Sequence, residues 1–336
     1  LRFKQADIHE FSPVVWSILS ADGRIHASGN CLLEQLASQV PESKAIRRNI
    51  LIVPSSSVLL TSTQVPIKQH RHLKQVLGFV VEEQIIDPIE SMHLATPIYH
   101  ADETVHIAAV KRELLESWLQ ALEPQGVLPD YLFVDVLCVP QKAGDWQLMF
   151  EDNKTLFRDG DYSGMVLDKN TAKSVLQLAI SSSTSSVTTE SKENEQADTL
   201  STFSADEQTQ ALSASNNASV LTSIALLAAK EDMPFDADSA DVLAEQDNDL
   251  LAITPTEFKA ELGQFIRSEN IETREIDYTE SCSELLAVNA VHSVEATLNL
   301  LQGEFSPISA NAANRQFIRK AGAIVTACVV VFLAVT

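Results

Sequence analysis

The chain has 336 residues, 45% of them hydrophobic, and a net charge of −22 from 46 acidic and 24 basic side chains. That length suggests two or three lobes with ample material for a core. The acidity argues against nucleic acid as the main partner, because phosphate binding needs clustered Lys and Arg.

Leu1 to Glu10 is polar and charged, without the apolar stretch of a signal peptide, and the sequence does not open on Met, so its start reads as trimmed. Val14–Leu19 reads as the first strand. Asp22-Gly23 follows as a hairpin turn, since both positions must tolerate positive φ. A helix is expected around Leu32 to Ala37. Asn49–Val53 and Val58–Val65 read as strands, each stopped by a proline, Pro54 and Pro66. Lys68 to about Ile86 carries Leu73, Val76, Leu77 and Val80 at helical spacing. Its charge order, Lys68, Arg71 and Lys74 first and Glu82 and Glu83 last, opposes the helix dipole. Those charges either lie on a solvated face or meet a partner, which makes Glu82 and Glu83 candidate partner-binding residues.

Strands are expected over Met92–Tyr99 and Thr104–Val110, and a helix over Glu113–Leu122. The apolar stretch from Asp130 to Pro140 fits helix and strand equally. Trp146–Phe150, Thr155–Arg158 and Gly164–Leu167 read as a meander. From Ser181 to about Asn217 the chain is Ser/Thr-rich and acidic, with too few apolar residues to offset ordering entropy, and reads as a disordered insertion. Val220–Ala229 re-enters the fold, Asp232–Asp249 is acidic and turn-rich, and helices are expected over Glu257–Arg267 and Ser283–Val291. No internal repeat is visible. Strands mixed with helices and hairpins indicate an α/β or mixed fold.

Ala321–Thr336 is uncharged and apolar, with Arg315, Arg319 and Lys320 before it. A basic flank of this kind keeps the preceding chain in the cytoplasm, so the run reads as a single transmembrane helix anchored by those three residues. At about 16 residues it is shorter than the roughly 20 a span needs, which reads as a span cut short. The alternative is a C-terminal core helix, but a surface helix would carry a polar face, and none is visible here.

Sites for chemistry are missing from the sequence. It holds no P-loop, no G-x-G-x-x-G, no G-x-S-x-G and no H-E-x-x-H. Cys31, Cys138, Cys282 and Cys328 are scattered as in a reducing compartment. His70 and His72 lack neighbouring ligands for a metal. Ser55-Ser56-Ser57 reads as a polar turn, and the carboxylates are too numerous for any pair to stand out. No catalytic, cofactor or metal residue is assigned.

Several phrases in order resemble the general secretion pathway protein L family, the inner-membrane L component of bacterial type II secretion systems. They are Val53-Pro54 to Val58-Leu59-Leu60, Val65-Pro66, Val81-Glu82-Glu83-Gln84, His93, Leu128-Pro129-Asp130, Asp135 to Pro140, Trp146, and Phe157-Arg158-Asp159-Gly160 with Gly164. The last is Leu298-Asn299-Leu300-Leu301-Gln302-Gly303-Glu304-Phe305. The resemblance implies an actin-like, ribonuclease-H-type cytoplasmic domain over 1–300, a juxtamembrane link over 301–320 and a truncated transmembrane helix over 321–336. It implies a non-enzymatic inner-membrane platform without cofactor, anchoring the secretion ATPase through that enzyme's N-terminal domain. The type II secretion protein M and a second copy are the other implied partners. Two rivals are an actin-like ATPase or sugar kinase and a type IV pilus assembly protein. The first lacks its phosphate loops here, since Arg24 follows Asp22-Gly23 and no second glycine loop exists. The second usually divides body and span between two chains.

Overall fold

The computed structural model describes residues 1–40, 48–64, 73–97, 104–142, 144–151, 154–189, 223–232 and 255–307. The first strand is Arg2–Phe3 (β1), ahead of the expected one. Pro13–Leu19 (β2) and Ile25–Leu32 (β3) form the hairpin, with Gly23 at φ +79 in its turn. A 3-10 turn and the short helix Leu36–Gln39 (α1) follow. Ile50–Val53 (β4) is apolar throughout, as a strand covered on both faces must be.

An inserted unit comes next: Val58–Gln64 (β5), Leu73–Glu82 (α2), Met92–Ala95 (β6) and Thr104–Lys111 (β7). Its strands form an antiparallel sheet in the order β5-β7-β6. Arg112–Leu122 (α3) buries Leu115, Trp118 and Leu122 and leads to Tyr131–Val134 (β8). The ambiguous stretch after Asp130 is therefore both a strand and, over Asp135–Cys138, a 3-10 helix.

The second part begins with the meander Asp145–Glu151 (β9), Lys154–Arg158 (β10) and Gly164–Asp168 (β11). Gly164 is required there, because a Cβ would lie 2.7 Å from both the Phe157 carbonyl and Val136. Lys169–Thr189 (α4) was not foreseen. It carries the first nine residues of the Ser/Thr-rich run, Ser181–Thr189, as helix, and the rest of that run lies outside the described residues. Ser223–Lys230 (β12), Pro255–Ser268 (α5), Glu272–Ser281 (β13) and Cys282–His292 (α6) complete the body. β13 was also unforeseen. It is a polar, charged edge strand, a composition that discourages edge-to-edge pairing and hides the strand signal.

The first sheet has the order β3-β2-β1-β4-β8, with β2 antiparallel to the other strands. The second has the order β11-β10-β9-β12-β13, with β10 antiparallel to the others. Counted from each sheet's own first strand, both read 3-2-1-4-5. The body is thus a topological duplication with no repeat visible in the sequence. Strand order asks only for apolar runs of suitable length, so the two halves need share no sequence.

Alternation places the cores. Leu148, Phe150, Ile224 and Leu226 face α4 and α5, with Leu176, Phe258 and Leu262 in the same cluster. Met149, Leu156, Ala225 and Leu227 face the other way, into the large core shared with β1, β4, β8, α3 and α6. In β7, Val105, Ile107 and Ala109 pack with Leu77 and Val81 of α2, while Ala108 and Val110 join the large core.

Candidate functional site

In α/β sheets of this kind ligands bind in the crevice beyond the carboxyl ends of the strands. Here that crevice is filled by the chain's own charges. Arg2 of β1 is 2% exposed and makes a two-pronged contact with Glu151 at the end of β9, both bonds 2.7 Å. Its guanidinium also lies 3.6 Å from Asp135, just past β8, and 4.0 Å from Asp232, just past β12. Lys4 bonds Asp232 at 2.8 Å, and Lys154 lies 3.6 Å from Glu151. Three cations thus face three carboxylates, gathered from both sheets.

The N-terminus of α6 closes the cluster. Ser283 donates its amide and hydroxyl to Asp232 at 3.1 and 2.7 Å, and its hydroxyl accepts from Arg2 at 3.0 Å. A carboxylate at a helix N-terminus is favoured by the exposed N–H groups there. Burial opposes the charge on Glu151, but Arg2 and then Lys154 and Lys4 outweigh it and hold the carboxyl down at about 2. Asp232 is likewise brought to about 2 against its burial, by Lys4 and then Ser283 and Ser281. Arg2 is held above its usual range by the surrounding carboxylates, although burial alone would lower it.

The loops around the crevice differ from the expectation. With β1 as first strand, its connection to β2 is Lys4–Ser12, which contains no glycine; Asp22-Gly23 lies one turn later, at the far end of β2. The equivalent β9–β10 connection is two residues, 152 and 153, outside the described set. Ser55-Ser56-Ser57 is a 3-10 turn after β4, whose Ser55 amide is held by Asp135 Oδ1 at 2.8 Å. Cys138 and Cys282 are buried, which pushes both thiols up to about 12, and Cys31 to about 11. Among the described residues no group of three metal-ligating side chains occurs; His70, His72 and Cys328 lie outside them.

A second feature is the strap after α6. The expected link beginning at 301 is, up to Phe305, part of the folded body. Leu298, Leu300 and Leu301 are buried. The Leu300 amide donates to the Leu132 carbonyl at 2.9 Å, and Asn299 Oδ1 accepts the Leu132 amide at 2.9 Å, so the strap continues past β8. His93 of β6 contacts the Leu300 carbonyl through Nε2 at 2.8 Å and meets Phe305 edge-on at 4.9 Å. Burial, with Arg112 nearby, keeps the His93 imidazole below its usual range. Gln302 bonds the Thr96 carbonyl at 2.6 Å and accepts the Thr96 amide at 3.3 Å. Arg112 pairs with Glu304.

The third feature is the outer side of α2. The helix ends at Glu82, earlier than expected, and Glu83 lies in the following turn. Both acids are exposed. Phe79, one turn before Glu82, is 71% exposed, and Ile86 is fully exposed. Their seven-residue spacing with the two acids between them was readable in the sequence but was not singled out. Residues 68–72, with Lys68 and Arg71, lie outside the described residues, as do Arg315, Arg319, Lys320 and the apolar run. Among the described residues no helix is long and apolar enough to cross a membrane.

The phrases that carried the resemblance now have structural roles. Asp135 and Leu300 are placed above, and Arg158 donates to the carbonyls of Leu137, Val139, Gly160 and Asp161. The family description "Type II secretion system (T2SS), protein L" matches residues 5–232. The chain belongs to that family. Curated proteins named Type II secretion system protein L are similar to it. The one from Dickeya chrysanthemi is 29% identical over 163 residues, 48% of this chain and 40% of that protein. The one from Pseudomonas aeruginosa is 35% identical over 128 residues, 37% of this chain and 33% of that protein. The matched stretches thus span less than half of these relatives' length. Among solved structures, the cytoplasmic domain of EpsL, an inner-membrane component of the type II secretion system of Vibrio cholerae, superposes with a TM-score of 0.54. It is 20% identical and covers 91% of this chain and 97% of that one, which shows a shared fold.

Proposed function

We propose that this chain is the cytoplasmic part of a non-enzymatic platform component of a type II secretion system. It anchors the secretion ATPase and couples it to pseudopilus assembly and protein export. The observation that carries the scaffold reading is the crevice sealed by Arg2, Glu151, Asp135 and Asp232. In the actin-like reading, supported by the duplicated 3-2-1-4-5 sheet order, that is where an ATPase would hold its phosphates. Here a guanidinium and its carboxylates occupy the space. Arg2 and Glu151, joined by two hydrogen bonds, are not parted by a ligand without stranding a buried ion, which is strongly unfavourable.

The docking face is assigned to the outer side of α2 and the turn that follows it, with Phe79 and Ile86 as apolar anchors and Glu82 and Glu83 as the acidic rim. Anchors of this type, ringed by charge, carry most of the energy of protein interfaces. The inserted sheet holding α2 has no counterpart among the described residues of the second half, which supports a role in binding rather than in the shared architecture. Residues 306–320 then lead from the strap toward an inner-membrane helix at 321–336, flanked by Arg315, Arg319 and Lys320. Protein M and a second copy join there.

The test is calorimetric titration of the body, residues 1–307, with the N-terminal domain of the cognate ATPase, without nucleotide. Saturable binding that is lost in Phe79→Ser and Glu82→Lys is expected. A folded body that does not bind ends the anchoring reading. Binding indifferent to both substitutions moves the face elsewhere.

A further inference from the structure

The strap and the outer side of α2 rest on the same two supports. The first is β6, whose successive side chains point to opposite sides of the strand. Met92 and Leu94 pack in the cluster of Leu77 and Val81 of α2. His93 points the other way, to the Leu300 carbonyl and the Phe305 ring. Thr96, just past the strand, holds Gln302 through both of its backbone groups. The second support is the corner at the end of β7. Lys111 pairs at 2.9 Å with Asp87, which lies between α2 and β6 and next to the exposed Ile86. Arg112, the following residue, pairs with Glu304 and lies 5.9 Å from the centre of the Phe305 ring.

Of these supports β6 depends most on the strap. It is an edge strand, joined to β7 over four residue pairs from Met92 to Ala95. A short edge strand opens at lower cost than the strands inside a sheet. The bonds from His93 and Thr96 to the strap are therefore a large share of what fixes its position. At its other end the strap is held by the body, through the buried Leu298, Leu300 and Leu301 and through the bonds of Asn299 and Leu300 to Leu132. One segment of eight residues thus fastens the inserted unit to the first half, and it does so at the strand that carries α2.

We infer that the strap is a latch that sets the order of the docking face. Fastened, it holds β6 and the Lys111–Arg112 corner together, so that α2 and the turn at Ile86 are presented in one arrangement. Released, it frees both supports at once. Such a latch couples the two places in both directions, because a partner that binds the held arrangement better also stabilises the fastened strap. The latch itself stands on the strap, β6 and the corner; only the identity of the partner rests on the reading proposed above.

The experiment uses the 336-residue chain and begins with amide hydrogen exchange in the absence of a partner. In Gln302→Ala the amides of α2 and β6 should exchange about tenfold faster and in step, while those of β10 and β12 keep their rates. Asn299→Ala should do the same, although its side chain bonds the Leu132 and Leu301 amides and not the inserted unit. Ser281→Ala removes the cap of α6, a loss of similar size away from both supports, and should leave the α2 rates as they are. Unchanged α2 rates in either strap variant overturn the latch, and so does equal quickening of α2 by Ser281→Ala. Titration with the N-terminal domain of the cognate ATPase follows. Binding to Gln302→Ala should be several-fold weaker than to the native chain, and the bound domain should slow exchange of the Leu300 amide. Equal affinity for the two chains overturns the coupling to docking. A native chain that binds no ATPase domain ends the docking reading instead, and the exchange rates alone then decide the latch.

Discussion

The two halves of the body share one strand order and differ in what is hung on it. After its third strand the first half shows, among the described residues, a 3-10 turn and the four-residue α1, where the second has the 21-residue α4. Between its fourth and fifth strands the first half carries the inserted sheet, α2 and α3, where the second shows α5 among its described residues. Among the described residues the second half is a sheet that packs α4 and α5 on one face, with its own cluster around Leu226 and Leu262. The first half has surrendered that symmetry to an added unit whose outer side exposes Phe79. Common architecture thus sits in the sheets, and what distinguishes this protein sits in the insertion and in the strap that fastens it.

The sharpest way to break the comparison is to unpair the charges that the halves share. Glu151 belongs to the second half and Arg2 to the first, so Glu151→Ala strands a buried guanidinium between them. It should cost about 3–5 kcal/mol in chemical denaturation, with both halves affected together. Acid should do the same gradually. Folded Glu151 and Asp232 titrate near 2, below their ordinary 4.5 and 3.8, so their stabilisation is present above about pH 5 and is lost as pH falls toward 2. If stability held level from pH 5 to 3, or only one half loosened in Glu151→Ala, the crevice would not be the joint between them.

A smaller effect separates the insertion from both halves. Gln302→Ala removes the two hydrogen bonds to Thr96 and should cost about 1–2 kcal/mol. Hydrogen exchange should quicken in β6 while β10 and β12 keep their protection. Uniform quickening would mean that the strap braces the whole body.

The smallest effect sharpens the contrast within α2. Phe79→Ser should leave the unfolding midpoint nearly unchanged, within about 0.5 kcal/mol, because the side chain is exposed. Val81→Ala, on the buried side, should lower it clearly. A large loss from Phe79→Ser would place that ring inside the fold and remove it from the docking face.

Elements whose signal is local were legible. β4 is an unbroken apolar run, α3 and α5 carry helical periodicity, the Asp22-Gly23 turn announces its hairpin, and Ser281 with Glu284 forms the capping box that opens α6. β1 escaped because two residues, one of them arginine, hold no pattern. β13 escaped because its alternation is polar, and α4 because serine and threonine dilute its apolar stripe. The site was harder still. Arg2, Glu151 and Asp232 each look like an ordinary charge beside an apolar strand, among 46 acids and 24 bases.

The sequence by itself determined the mixed class, most strands and helices, the family resemblance, and the absence of phosphate-loop motifs. These rest on periodicity, turn residues and motifs, which act over a few positions. Only the tertiary structure decided the duplicated sheet order, the sealing of the crevice and the packing of the Leu298–Phe305 strap. The sheet order pairs residues as distant as Ile50 and Tyr131, and the crevice and the strap bring together residues farther apart still, as Arg2 meets Glu151 and His93 meets Leu300. Which charge is buried depends on the sheet that arrives opposite it, and no local pattern encodes that arrival.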